Sequence, residues 1–332
     1  MITIFRFLYR PPVPICATCR HFSLSNYSNP FLYRVKVTKP RFGISLNARS
    51  SMSSSTSPPL TVEQVDGRIL EGENDDHGGV IVEMTSEPLD PIVYASILKA
   101  SLSHWRQQGK RGIWIKLPIE LANLVEPTVK EGFYFHHAES NYLMLASWLP
   151  NAANTLPANA SHRVGIGAFV LNDKNEVLVV QENSGRFRGS GIWKFPTGVV
   201  DEGEDICDAA VREVKEETGV DARFIEILAF RQSHKSYFEK SDLFFVCMMQ
   251  PLSQDILPQE TEIEAAQWMP YEEYVAQPFV QKHDLLQRIA DACAAKKNGT
   301  YSGFSPVSTS TGFSEKNAYL YLNSRGLGRD LL

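Results

Sequence analysis

The sequence predicts an α/β protein built as two modules, and two observations carry that expectation. Apolar runs of strand length alternate with stretches of helical periodicity, first over residues 62–150 and again over 160–295. Between them, residues 151–160 are rich in Asn, Ala and Pro, show no periodicity and read as a linker. A chain of 332 residues with 43% hydrophobic content can bury one large or two medium cores, and two suits this punctuation better.

Taken in order, the chain opens with a segment, 1–57, of distinct composition. The first acidic residue is Glu63, and the stretch before it carries eight Arg or Lys and ten Ser, as expected of an organelle transit peptide. The serine-rich run at 50–57 dilutes the positive charge and favours a chloroplast over a mitochondrial destination. Initiation at Met52 would give a leaderless, cytosolic product instead. Cys16 and Cys19 form a C-x-x-C, but no second Cys or His pair follows at zinc-ligand spacing, so the pair reads as incidental. The five cysteines are scattered and odd in number, which suits a reducing compartment.

In the first module Val80-Ile-Val-Glu-Met84 predicts a strand and Pro91 to Gln107 an amphipathic helix. Gly112-Ile-Trp-Ile-Lys-Leu117 predicts a second strand. A helix over 119–131 follows, with Pro127 as its kink or break. Phe133-Tyr-Phe135 and Tyr142-Leu-Met-Leu-Ala146 complete the module. In the second module the strands Val164 to Leu171 and Glu176 to Val180 flank the polar turn Asn172-Asp-Lys-Asn175, which predicts a hairpin. Strands are expected over 224–230, 243–249 and 265–269, then one helix from Tyr271 and another over 280–295. The tail, 296–332, is rich in Ser, Gly and Thr and is expected to be loosely ordered as far as Tyr319-Leu-Tyr-Leu322.

The formal net charge of -5 leaves no global basic field, so nucleic-acid and anionic-membrane partners are excluded as a class. No run of 18 apolar residues occurs, and no membrane span is expected. A polyanionic ligand would need a local cation or a metal ion.

The chemistry concentrates in Gly198 to Val220. A helix is expected from about Asp205 to Thr218, with Asp205 in its first turn and Gly219 ending it. Glu213, Glu216 and Glu217 lie three and four residues apart, on one side near the C-terminal end. Like charges at that spacing repel, and the helix dipole there is already negative, so something positive must offset them. Arg212 and Lys215 supply part of it. Converging carboxylate oxygens are also what Mg2+ prefers. For an isolated Glu-x-x-Glu-Glu, a solvated acidic face is the commoner explanation.

The full set changes that balance. Gly198, Glu204, Arg212, Glu213, Val214, Glu216, Glu217, Gly219 and Val220 match G-x5-E-x7-R-E-U-x-E-E-x-G-U at every fixed position, where U is a bulky aliphatic residue. This stretch resembles the Nudix box, and the strand before it, the run Trp193-Lys-Phe-Pro196 and the stretch Glu262 to Pro270 resemble the flanks of that family. The resemblance implies an α/β/α sandwich on a mixed sheet, and hydrolysis of a pyrophosphate bond with Mg2+ or Mn2+ held by helix glutamates. It makes Glu213 and Glu217 metal ligands, and Glu216 a further ligand or the base, with Glu262 as an alternative base. Arg212 would orient a glutamate, Glu204 would position the loop or a metal-bound water, and Gly198 would bring a backbone carbonyl to the metal.

The two-module layout and the run Ser241-Asp-Leu-Phe-Phe-Val-Cys247 resemble the plant-type ADP-ribose and NADH pyrophosphatase group, to which the antisense fibroblast growth factor protein of animals is similar. That likeness implies a nucleotide substrate, ADP-ribose or NADH, and an acetyltransferase-like first module. Arg106 to Gly112 reads as a helix terminus and turn preceding a strand, which is the wrong order for an acetyl-coenzyme A loop, so the module reads as a dimerisation or substrate-shaping domain and a homodimer is expected. Trp193, Phe195, Tyr237 and Phe238 are candidates to sandwich an adenine, and each is equally a candidate for the core or a hairpin. His136 and His137 lack a metal-spaced partner and read as structural. Two other functions stay open: a dinucleoside polyphosphate hydrolase, for which Tyr237 is the hint, and a nucleotide sensor without turnover.

Overall fold

Asp90 starts the first long helix by accepting hydrogen bonds from the amides of Ile92 and Val93, with Pro91 occupying the first helical position, where no amide proton is needed. In a computed structural model of the chain, residues 68–310 and 318–323 are described. The transit-peptide reading of 1–57, with Cys16, Cys19 and Met52, lies outside them. The chain divides into two units, one ending at Asn159 and one running on from Ala160.

The first unit contains β1 (Glu73–Asn74), β2 (Val80–Glu83), α1 (Pro91–Gln107), β3 (Gly112–Pro118), α2 (Val125–Lys130), β4 (Tyr134–Ala138) and β5 (Tyr142–Trp148). Its sheet has the order β1-β2-β3-β5-β4, with β2 and β3 parallel and the other pairs antiparallel. Tyr94, Leu98, Leu102 and Trp105 of α1 bury against Val82, Ile113, Ile115 and Leu145. The helix expected over 119–131 is divided in a different place from the one anticipated. Ile119–Leu124 is a 3-10 helix distorted at Leu121, and Pro127 lies within the first turn of α2, where its missing amide costs nothing. Gln108 and Gly109, the latter at φ 69°, close α1 and lead straight into β3, as the sequence reading of that stretch expected. His136 and His137 are bonded to each other, to the Pro157 carbonyl and to the Tyr142 hydroxyl.

The second unit contains β6 (His162–Val170), β7 (Glu176–Glu182), β8 (Thr197–Val199), α3 (Ile206–Thr218), β9 (Ala222–Tyr237), β10 (Lys240–Pro251), β11 (Ile263–Pro270), α4 (Tyr271–Ala276), α5 (Pro278–Lys282), α6 (Asp284–Lys297), β12 (Ser305–Thr309) and β13 (Ala318–Leu322). Four strands form a mixed sheet, β8-β6-β10-β9, in which β6 and β10 are parallel. β7 pairs with β11 in a second, antiparallel sheet. Alternate residues of the strands feed two cores. Ile166, Ala168 and Cys247 pack with Ala209, Ala210 and Val214 of α3, while Phe169, Phe244 and Val246 pack with Tyr274, Val280 and Leu286 of α4–α6. The α/β/α layering is therefore present.

Three expectations are corrected here. β6 and β7 do not form a hairpin: they share a turn in which the Asn172 carboxamide oxygen accepts from Lys174 and Glu176, but only Leu171 and Val177 bridge across it. The edges of β6 are filled by β10 and β8, so β7 leaves to take β11. The helix expected over 280–295 is two helices, broken at His283, whose backbone is extended. The tail is ordered from 301 to 310. Phe304 bridges to Ile227 of β9, the Tyr301 hydroxyl donates to the Leu228 carbonyl, and β12 pairs with β13, where Tyr321 packs on the α3 side of the sheet. No helix among the described residues is long and apolar enough to cross a membrane.

Candidate active site

α3 begins one residue later than the sequence suggests, because Asp205 is its cap and has extended backbone angles. Asp208 stands in the first turn, where the positive end of the helix dipole favours it. The helix ends at Gly219, whose φ of 72° permits its amide to return to the Lys215 carbonyl, and the Lys215 ammonium in turn binds the Gly219 carbonyl. Cys207, Ala209, Ala210 and Val214 bury one face. That packing forces Glu213 and Glu217, four residues apart, into the interior, where they are 3% and 7% exposed.

The free edge of β8 receives them. The Thr197 amide donates to Glu217 Oε2 at 3.3 Å, and the Val199 amide donates to Glu213 Oε1 at 3.2 Å. Between these two donors lies Gly198. A Cβ there would fall 1.7 Å from the Glu213 carboxyl carbon, so only glycine lets the glutamate lie against the strand.

Arg212 ties loop, strand and helix together. Its Nε and Nη2 grip both oxygens of Glu204 at 2.7 and 2.8 Å, Nη2 also donates to the Val199 carbonyl at 2.9 Å, and Nη1 donates to Glu213 Oε1 at 2.9 Å and Glu216 Oε2 at 3.2 Å. Glu204 Oε2 accepts the Asp201 amide as well. The Arg212 hydrogen bonds hold the Glu204 carboxyl below the usual glutamate range. Burial acts the other way on the helix pair. It pushes the Glu213 carboxyl up against the pull of Arg212, and it pushes Glu217 up to about 8 despite the nearby Lys194.

Glu216 shares Arg212 with Glu213 but differs from the other two glutamates in burial. Its side chain is 49% exposed and turned to Arg212, so the buried set is a pair. Among the described residues no three acidic, His or Cys side chains are gathered closely enough to grip an ion as they stand. One guanidinium, that of Arg212, binds Glu204, Glu213 and Glu216 at once.

Of the aromatic candidates, Trp193 and Phe195 line a narrow recess of about 30 Å³, together with Gly167, Phe187, Phe244 and Phe279. Phe195 is also core, stacked 4.6 Å from Tyr274, so it forms a wall and has no free face for a second ring. Gln277 fixes the Trp193 backbone through its amide and carbonyl. Thr197 lines the recess too, and so joins it to the carboxylates. Tyr237 and Phe238 lie instead at the β9–β10 turn, in edge contact at 4.6 Å, with the Arg163 guanidinium 4.9 Å from the Tyr237 ring. Neither lines the recess. Glu262 immediately precedes β11, where its carbonyl accepts the Asn183 amide at the end of β7. Sequence reasoning missed Glu182 and Lys194, a buried ion pair beside Glu217. The available signal was a lysine between Trp193 and Phe195 in an otherwise apolar run.

Residues 161–288 match the family model of the NUDIX domain, and residues 70–149 match that of a Nudix hydrolase domain. Nudix hydrolase 2 of Arabidopsis thaliana is 60% identical over 277 residues, spanning 83% of this chain and 98% of that protein. The chain belongs to the Nudix hydrolase family. Nudix hydrolase 10 of the same plant is 54% identical over 257 residues, 77% of this chain and 91% of its own. Human nucleoside diphosphate-linked moiety X motif 6 is 37% identical over 207 residues, 60% and 65% of the two chains. A solved Nudix hydrolase from Nitrosomonas europaea is 25% identical, covering 41% of this chain and 90% of its own, with a TM-score of 0.35.

A Nudix hydrolase acts on nucleoside diphosphates linked to another moiety, and the family generally uses divalent metals such as Mg2+ or Mn2+. The residues present fit such an ion. Two carboxylates are buried against a glycine cradle, their oxygens are hard donors, and Glu182 Oε2 is a shielded carboxylate oxygen with no hydrogen-bond partner.

Proposed function

We propose that this Nudix hydrolase splits the pyrophosphate bond of ADP-ribose, NADH or both, giving AMP and a phosphorylated product. The observation that carries this reading is the junction at Thr197. On one side of that residue lies a narrow aromatic-walled recess that would have to widen to take a planar ring, and on the other the Thr197 amide holds Glu217. A nucleoside diphosphate offers those two chemistries side by side. The run Ser241 to Cys247 supports the choice of group, because Phe244 and Val246 form part of the recess wall.

Glu213 and Glu217 would hold the divalent ion, which when bound neutralises the diphosphate and lowers the pKa of an attacking water. Gly198 keeps the strand backbone against Glu213. Arg212 fixes Glu204 and Glu213, and so orients the carboxylates without touching substrate. Glu216, half-exposed at the rim, serves as a further ligand or accepts the water proton, with Glu262 as the alternative acceptor. Acetyl transfer forms no part of this function, since Gln108 and Gly109 close a helix and feed a strand. The first module instead shapes a homodimer, and the leader directs the protein to the chloroplast.

A panel of ADP-ribose, NADH, coenzyme A and diadenosine polyphosphates with Mg2+ or Mn2+ tests the reading. AMP and ribose 5-phosphate are expected from ADP-ribose, and chelation should abolish their release. Hydrolysis of diadenosine tetraphosphate alone would refute the substrate, and tight binding of ADP-ribose without turnover would show a sensor.

A further inference from the structure

A buried ion pair borders the carboxylates from outside the 23-residue motif. Lys194, 6% exposed, donates from Nζ to Glu182 Oε1 and, at 3.1 Å, to Thr197 Oγ1. Both partners are held by backbone. Lys194 and Val180 exchange amide–carbonyl hydrogen bonds of 2.9 and 3.1 Å, and Glu182 ends β7 opposite Ile263 of β11. The pair is thus built into the site, unlike a surface pair that forms and breaks in solvent.

The charge arrangement is uneven. Glu182, Glu213 and Glu217 are shielded from water, whereas Arg212 spends its donors on Glu204, Glu213, Glu216 and a carbonyl. Lys194 pairs with Glu182 and is linked to Glu217 through Thr197, whose hydroxyl it binds and whose amide donates to Glu217. Glu182 Oε2, on the same carboxyl that Lys194 binds, is buried with no hydrogen-bond partner. A shielded carboxylate oxygen left unmatched is costly, and an ion or a water is one way of satisfying it.

We propose that Lys194 is a positioning residue that holds Glu182 out of the metal-binding carboxylate set, and that Glu182, through Oε2, is a further oxygen ligand available to a divalent ion. The inference rests on the metal-dependent reading above and extends it to two residues beyond the motif. Lys194 acts as the resident cation and the divalent ion competes with it, so the two substitutions should move metal affinity in opposite directions. A merely structural lysine would weaken metal binding when lost, because the site would loosen.

The test is Mn2+ titration of the full chain, followed by the paramagnetic resonance of the free ion, with no nucleotide present. Lys194→Gln should tighten Mn2+ binding by roughly 10-fold and Glu182→Gln should weaken it by roughly 10-fold, the scale on which residues supporting a metal site act. The double variant should return towards the wild-type value, and Lys194→Arg, which keeps the charge, should bind as the wild type does. A cooperative thermal melt accompanies each variant. Should Lys194→Gln fail to fold, the Glu182→Gln arm decides alone. Unchanged affinity in Glu182→Gln, or weaker binding in a folded Lys194→Gln, overturns the inference while leaving the hydrolase reading intact. Absence of Mn2+ binding in the wild type would sink both.

Discussion

Burial gives Glu217 a carboxyl that titrates near 8, and that one value has consequences for stability as well as for chemistry. The folded state binds this proton more tightly than the unfolded chain, so protons favour folding. In metal-free protein that contribution is complete below the ordinary glutamate range and is lost as pH rises through about 8. Thermal melts in chelator should therefore fall between pH 5 and 9, and Glu217→Gln should flatten the slope while lowering kcat by orders of magnitude. An unchanged slope in the variant would show that another group carries it. Glu216→Gln should also depress kcat strongly but leave Tm nearly unmoved, because its side chain is half in water. Gly198→Ala tests the cradle beside them. The added methyl would overlap the Glu213 carboxyl and push it off the Val199 amide, and a displacement of about 1 Å costs roughly 10²-fold in rate. A Gly198→Ala protein with native kcat and Mn2+ affinity would show that Glu213 lies elsewhere in the working enzyme.

At the scale of elements, Arg212 clips the loop before α3 onto the helix and onto β8 at once. Lysine keeps the charge but cannot make the two-pronged contact with Glu204 while reaching Val199 and Glu213. Arg212→Lys should lower stability by roughly 2 kcal/mol and free the loop, with faster amide exchange over residues 200–205 and exchange in the core of α3 unchanged. Exchange rising evenly across the helix would mean that Arg212 supports packing and not the loop. Part of this network was legible through the resemblance, which implied that Arg212 orients a glutamate and that Glu204 positions the loop or a metal-bound water, whereas the grip of Arg212 on Glu204 itself was not foreseen. The elements that were misread share a different cause. The β6–β7 turn has hairpin chemistry, yet which strand fills each edge of β6 is decided by β8 and β10, far along the chain. Local signals also placed Glu216 beside Glu213 and Glu217, and it does share Arg212 Nη1 with Glu213, but burial against β8 takes only the other two and leaves Glu216 half-exposed. Glu182 and Lys194 meet only because β7 is bridged to the segment preceding β8.

Across the whole molecule, the two units each close a core of their own, one on α1 and its sheet, the other on the two faces of the β8-β6-β10-β9 sheet. The change from one to the other was legible at the Asn- and Ala-rich 151–160, because a segment without apolar periodicity has nothing to bury. The order within 301–310 was not, since it comes from main-chain pairing of Phe304 with β9 and from Tyr321, with no pattern in the Ser- and Gly-rich tail to announce it. The carboxylates, Arg212, Lys194 and the aromatic recess all belong to the second unit. Chemistry and metal affinity should therefore survive in a chain of residues 160–332, with Mn2+ affinity near that of the parent and a cooperative melt. The first unit brings none of those groups, and in the proposed function it shapes the dimer, so the shortened chain should sediment as a monomer and show a raised KM with kcat little changed. The diagnostic quantity is the pairing of the two measurements. If the shortened chain keeps both the oligomeric state and the KM of the parent, the first unit neither dimerises the enzyme nor shapes its substrate site.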